Sequence, residues 1–268
     1  MSGSVRYTPP DASGIARLTL SNPGKLNALS VAMWRELRMH VARLNVHNDG
    51  VRVVVVSGES GQFASGGDIE EFPRFRFNAS TLARFHEEDV RPALQAMLDC
   101  DLPLLAQIDG ACIGGGLEIA ACCDIRIAGN SARFGVPIAK LGFPLAPAEL
   151  EMVAAVVGPT VLRELLIEAR VLDAHEAFAR GLVTRVVADA DVAAEAHAAA
   201  ERIAALSPQA LRLNKRALRQ FTHAGRSTFA ERAPHYAYAA SDEHHEGLAA
   251  FNEKREPRFA GTKGGSQE

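Results

Sequence analysis

Long apolar runs are missing from this 268-residue chain. Nothing in it approaches the roughly 18 consecutive apolar residues that span a bilayer, so no membrane partner is expected. Charge of one sign is missing too. The 29 Lys and Arg stand against 32 Asp and Glu, a net charge of −3. That balance gives nucleic acid no electrostatic hold, and none is expected as a partner. Cysteine is sparse, at Cys100, Cys112, Cys122 and Cys123, with no C-x-x-C pair. Neighbouring histidines complete no zinc pattern, so no metal is expected. The four thiols read as small core residues in a reducing compartment. The stretch MSGSVRYTPPDASG is polar and lacks the apolar core of a signal peptide, which makes a cytoplasmic location the expectation. No G-x-G-x-x-G and no G-K-S or G-K-T occurs, which removes the usual dinucleotide and phosphate loops. No redox cofactor is implied.

What is present is an ordinary globular balance, 47% hydrophobic and 23% charged, enough to bury a substantial core. GIARLTLSN (14–22) reads as a short strand. SVAMWRELRMHVARLNVH (30–47) reads as an amphipathic helix capped by Ser30, with Trp34 in its packing face. VRVVVVSGES (51–60) is a β-branched run ending at Gly58, the pattern of a strand covered on both faces. Residues 78–100 read as a helix bent near Pro92, and PLLAQIDG (103–110) as a second buried strand. DIRIAG (124–129) and ARFGVP (132–137) follow. The alternation predicts an α/β core with parallel pairing. From about residue 145 the chain turns mostly helical, over 148–166, 173–180, 191–206, 208–222 and 226–250, with one strand at LVTRVV (182–187). These apolar-faced helices need the core or another subunit to pack on. The tail GTKGGSQE is expected to be disordered.

Two glycine-rich loops share one design. FASGGD follows the strand at 51–57 and ACIGGGLE follows the strand at 103–108. Each sets small residues at the C-terminal end of a buried strand and then opens toward a helix. Glycine admits a ligand close to the backbone, and N–H groups at a helix start receive negative charge. The plain alternative is that glycines fill tight turns. Two such loops on neighbouring strands also suit an oxyanion hole, with two N–H donors aimed at one oxygen. Glu118 lies just beyond the second loop, among Leu117, Ile119, Ala120 and Ala121. A first-turn carboxylate is favourable there, and burial among apolar neighbours raises its pKa toward the working range of a general base.

LSNPGKLNALS, FASGGDIEEF, IDGACIGGGLEIAACCDIRIA, ARFGVPIAKLGF, EAFARGLVTRVV and EGLAAFNEKREPRF occur in an order and spacing that resemble the crotonase superfamily, the enoyl-CoA hydratase/isomerase family. The resemblance covers about residues 5–259. It implies an α/β fold, a ClpP/crotonase-like spiral of ββα units with two near-perpendicular sheets, over residues 1–200. It implies a C-terminal helical trimerisation region over 201–268, and a homotrimer or dimer of trimers. The implied substrate is an acyl-CoA thioester, with coenzyme A part of the substrate and no separate cofactor. The implied oxyanion donors are the N–H groups of Gly67 and Gly115. CoA is implied along Leu26, Ala28, Ala64, Gly66, Asp68 and Ile69, and further substrate-binding positions at Ile113, Gly114, Ile138 and Leu141. Phe251 and Lys254 match positions that reach the CoA of a bound or neighbouring subunit. Arg74 and Arg76 fit either a solvated loop or a place near the CoA phosphates or the acyl tunnel. His244 and His245 are expected on the surface.

In hydratases resembling this chain, a glutamate at the Glu118 position holds the attacking water, and a second glutamate delivers the proton. The second position here is Ile138, which neither donates nor accepts a proton. Three readings are compatible with that departure. Glu118 acts alone or with a substitute, Glu149 and Glu151 being nearest, in hydration or isomerisation. Alternatively the enzyme decarboxylates a malonyl-type CoA, which needs only enolate stabilisation. In the third reading the chain binds acyl-CoA without turnover. No serine or cysteine is placed as a nucleophile for thioester hydrolysis.

Overall fold

The computed structural model describes residues 3–47, 50–224, 236, 238, 239 and 241–259. Strand β1 (Ser4–Thr8) pairs antiparallel with β2 (Ile15–Ser21). Helix α1 (Val31–Val46) follows, its first turn closed by the Ser30 hydroxyl, which accepts from the Met33 N–H at 3.2 Å. Strand β3 (Val53–Gly58) carries four valines that are fully buried, because layers of helix cover both faces of the sheet at its centre. A 3-10 turn spans Ile69–Arg74 where a regular helix was expected; Pro73 inside it lacks the N–H that a longer helix needs. Helix α2 (Ala79–Arg84), a π-helical segment at Phe85–Val90 and α3 (Arg91–Leu98) replace the single helix expected over 78–100. Pro92 cannot donate to the carbonyl four residues back, and the Arg91 N–H reaches five residues back to the His86 carbonyl. The proline therefore widens the preceding turn.

Strand β4 (Leu104–Ile108) is followed by the short β5 (Ala111–Ile113) and helix α4 (Gly115–Ala121). Strands β6 (Ile125–Gly129) and β7 (Arg133–Gly135) come next, then a 3-10 turn at Pro137–Leu141. The apolar stretch expected as one helix over 148–166 is two, α5 (Pro147–Val157) and α6 (Pro159–Ile167), divided at Gly158. Strand β8 (Val171–Asp173), helix α7 (Ala174–Ala179) and strand β9 (Arg185–Val187) complete the sheets. Helices α8 (Val192–Ala204), α9 (Pro208–Ala224) and α10 (Asp242–Glu253) end the described chain. The remainder of the helix expected over 226–250, and the expected disordered tail, lie outside the described residues.

The main sheet runs β1-β2-β3-β4-β6-β9, parallel from β2 onward, and the second sheet runs β5-β7-β8. Helix α9 lies back on the core of its own chain. Lys215 Nζ donates to the Leu102 carbonyl at 2.8 Å, and Arg219 Nη1 donates to the Leu98 and Cys100 carbonyls at 3.1 and 3.0 Å.

A buried cation ties α4 to the second half of the chain. Arg126, 8% exposed, donates from Nε to the Leu182 carbonyl and from Nη1 to the Cys123 carbonyl, both at 2.6 Å. Burial pulls its pKa below the ordinary guanidinium value. Arg126→Met keeps much of the apolar stem and leaves two carbonyls unpaired. An orphaned buried acceptor costs about 1–3 kcal/mol. We expect about 3 kcal/mol of lost stability, read as a lower urea midpoint at an unchanged m-value.

Candidate active site

The two glycine loops meet through backbone hydrogen bonds. The Ala64 N–H donates to the Ala111 carbonyl at 2.8 Å, and the Ile113 N–H donates back to the Ala64 carbonyl at 2.9 Å. On the other side, the Leu29 N–H donates to the Gly66 carbonyl at 2.7 Å, and the Asp68 N–H to the Leu29 carbonyl at 2.9 Å. Gly66 has φ +104° and Gly114 φ +51°, which side chains rarely adopt, and a Cβ on Gly114 would sit 3.5 Å from the Gly66 Cα. Glycine at both places lets the two backbones lie against each other. Among the described residues, neither the Gly67 N–H nor the Gly115 N–H makes a hydrogen bond. Both residues line one cavity of about 340 Å³. Leu29 and Trp34 wall Gly115, and the Phe72 ring lies against Gly67.

Glu118 enters this cavity from α4 and is 5% exposed. Among the described residues no protein group hydrogen-bonds its carboxyl. Its pKa is raised well above the ordinary carboxylate range, first by burial and then by the charge of Glu149, against a smaller opposing pull from Arg76. Glu149, 3% exposed, enters from α5. His86 Nδ1 lies 2.5 Å from Glu149 Oε1. Glu151, the other carboxylate considered from sequence, is exposed on α5 and outside the cavity.

Of the residues assigned from sequence, Gly66, Gly67, Ile69, Ile113, Gly114, Gly115, Glu118, Ile138 and Leu141 line the cavity. Ile69 and Leu141 are exposed apolar side chains at its rim, and Ile138 is half-buried on its wall. Leu26, Ala28, Ala64 and Asp68 lie outside that lining. Ala28 and Ala64 are buried, and Leu26 is exposed beside them. Asp68 is occupied: it accepts from Lys25 Nζ at 2.8 Å and from the Glu70 N–H at 3.2 Å, capping the 3-10 turn. Phe251 and Lys254 sit at the end of α10, away from this cavity.

His86, Arg76, Phe72 and Phe143 line the cavity without having been assigned to it from sequence, Arg76 having been left open. The signal for His86 is Pro92, whose missing N–H creates the π-helical segment; such segments recur at functional sites. All four cysteines are buried, and burial pushes the Cys123 thiol up to about 12, so no reactive thiolate is present among them. Among the described residues no group of three His, Cys, Asp or Glu is placed to hold a metal ion, and no helix is long and apolar enough to cross a membrane.

Two adjoining glycine loops, whose Gly67 and Gly115 N–H groups make no hydrogen bond among the described residues, over a cavity with two buried carboxylates and beside a largely parallel sheet, are the features of a crotonase fold. A model of the enoyl-CoA hydratase/isomerase family matches residues 11–262, and the chain belongs to that family. It is 33% identical over 247 residues to the "Probable enoyl-CoA hydratase echA8" of Mycobacterium leprae, covering 90% of this chain and 93% of that protein. It is 32% identical over 247 residues to the 2,3-dehydroadipyl-CoA hydratase of Escherichia coli, covering 91% and 94%. Its structure matches an enoyl-CoA hydratase/carnithine racemase from Magnetospirillum magneticum with a TM-score of 0.91 at 38% identity, covering 96% and 95% of the two chains. The protein is an enoyl-CoA hydratase/isomerase-like enzyme.

A raised folded-state pKa at a carboxylate means that the folded protein holds the proton more tightly than the unfolded chain. Stability therefore falls as pH rises above the unfolded carboxylate pKa. We expect Glu118→Gln to raise Tm at pH 8, by about 2–4 °C for each kcal/mol relieved, and the gain to shrink toward pH 4. Thermal unfolding at the two pH values checks it.

Proposed function

We propose that this enzyme hydrates or isomerises an enoyl-CoA thioester, with Glu118 and Glu149 as its acid/base pair. The observation that carries the reading is the pair itself: two buried carboxylates from different helices, in the cavity that also holds the two free N–H groups. The thioester oxygen accepts from Gly67 and Gly115, and both bonds strengthen as the enolate forms. Glu118, which accepts no protein hydrogen bond among the described residues, holds the water for C3 or takes the proton from the carbon chain. A carboxyl with a raised pKa exchanges protons closer to neutral pH. Glu149, oriented by His86, serves C2 from α5 in place of the glutamate that hydratases resembling this chain carry at Ile138. Ile138 then contributes an apolar wall.

The exposed apolar side chains of Leu26, Ile69 and Leu141 support a path for the pantetheine arm, with Ala28, Ala64, Gly66 and Asp68 shaping the backbone beneath it. Residues 201–268 form the trimerisation region in this reading, and Phe251, 81% exposed, and Lys254 meet CoA from their own or a neighbouring subunit. Coenzyme A arrives as part of the substrate, in the cytoplasm. A purely binding role accounts poorly for Glu118, since burying an unpartnered carboxylate costs stability that thioester binding does not require.

The test is turnover of 2-enoyl-CoA and 3-enoyl-CoA. Losing a general acid or base costs about 10²–10⁴ in rate. Glu118→Gln and Glu149→Gln are each expected to cut kcat by that range, and Glu151→Gln to leave it unchanged. The acid limb of kcat/KM should lie above the ordinary carboxylate range and move down in Glu149→Gln, which removes the like charge beside Glu118. Full activity in Glu149→Gln would sink its role. Release of CO₂ from a malonyl-type thioester, retained in Glu118→Gln, would favour decarboxylation instead.

A further inference from the structure

Arg74 and Arg76 are two residues apart and lead different lives. Arg74 is 77% exposed and faces Glu71 at 3.8 Å, an ordinary surface pair. Arg76 turns inward and lines the cavity that holds Gly67, Gly115, Glu118 and Glu149. Its guanidinium carbon lies 4.1 Å from the centroid of the Phe72 ring and 3.9 Å from that of Phe143. The two rings flank the fork on the half-buried side chain. Its Nε is buried with no hydrogen-bond partner, and among the described residues Arg76 makes no ion pair. Glu118 and Glu149 feel its charge without touching it, and Glu149 is already matched to His86.

An aromatic-flanked, half-buried guanidinium with a buried, unpartnered Nε and no counterion in contact is costly unless a ligand brings one. The planar fork matches a carboxylate through two parallel hydrogen bonds. We infer that Arg76 binds a carboxylate carried on the acyl chain of the substrate, so that the substrates are carboxyacyl-CoA thioesters.

The position of Arg76 selects the acyl chain. The edge of the Phe72 ring lies against Gly67, where a Cβ would meet Phe72 Cε1 at 3.1 Å, and Arg76 covers the face of the same ring. The breadth of Phe72 therefore separates Arg76 from the oxyanion donor. The anion that it binds lies beyond the thioester carbonyl. Of the proposed CoA path, Gly66 and Ile69 line the Arg76 cavity while Leu26, Ala28, Ala64 and Asp68 lie outside it, so a CoA phosphate is the competing anion that the experiment must separate from an acyl carboxylate.

The inference rests on the acyl-CoA reading, and the experiment separates the two. Saturated thioesters are not turned over by hydration, so their binding is measured directly by calorimetry. Succinyl-, adipyl- and suberyl-CoA are compared with butyryl-, hexanoyl- and octanoyl-CoA of equal chain length. A charge-assisted hydrogen bond is worth a factor of about 10 or more in Kd, and at one chain length the carboxylated thioester should bind tighter by that factor. Arg76→Met should collapse the ratio of the two Kd values, and Arg76→Lys should keep part of it. The matching 2-enoyl pair should show the same ratio in kcat/KM. Equal binding of both members at every length by the wild type overturns the assignment without any variant. A loss shared equally by both members in Arg76→Met, with the ratio intact, also overturns it and assigns Arg76 to CoA or to packing. If no acyl-CoA of either kind binds, the acyl-CoA reading itself has failed.

Discussion

The lateral seam between the two glycine loops is the constraint on which the rest of the site depends. Ala64 exchanges backbone hydrogen bonds with the 111–113 strand, and Gly66 and Asp68 do the same with Leu29. These bonds tie three segments of distant sequence into one surface. The bonds on the Leu29 side use both neighbours of Gly67, those on the other side use the strand that leads into Gly115, and among the described residues the N–H groups of the two glycines stay unpaired. Ladder pairing elsewhere in both sheets holds that surface rigid. In the proposed role the two donors are aimed before any ligand arrives, which is the condition for electrostatic stabilisation to act on a transition state.

Around that surface the cavity is balanced by charge. Two carboxylates enter from α4 and α5, a histidine from the π-helical segment meets one of them, and a single guanidinium stands between aromatic rings. Burial raises the Glu118 pKa and lowers that of Arg76; the two groups ease each other's ionisation, while Glu149 opposes that of Glu118 and favours that of Arg76. A site arranged in this way is expensive to fold and, in the proposed reading, poised to exchange protons and to accept an anionic group. Stability and function pull in opposite directions at Glu118, and the spiral core around it carries the cost.

Particular residues show why some of this was legible in the sequence. The valine run at 53–56 announced a doubly covered strand, because only apolar β-branched side chains satisfy both faces of a buried sheet. Ser30 announced the start of α1, because its hydroxyl meets an N–H that nothing else satisfies. The short strands at 4–8, 111–113 and 171–173 carried no such mark. The strands at 111–113 and 171–173 have only three residues each, too few for periodicity, and pair with β7 across some twenty or more residues of chain, while the alternation in 4–8 is broken by its half-exposed neighbours. The 69–74 turn and the π-helical segment likewise depend on what a proline withholds from its neighbours, which periodicity does not register.

By itself, the sequence determined the alternation of strand and helix in the α/β core, the two glycine loops, the buried place of Glu118 and the absence of a carboxylate at Ile138. These follow from local chemistry: apolar runs, backbone freedom and residue identity. Only the tertiary structure decided that Glu149 rather than Glu151 faces Glu118, that His86 stands beside it, and that Arg76 turns inward while Arg74 stays in water. Helix phase, a widened turn before Pro92 and two phenylalanines 71 residues apart along the chain decide those placements (Phe72 and Phe143). Such distances close only when the chain folds.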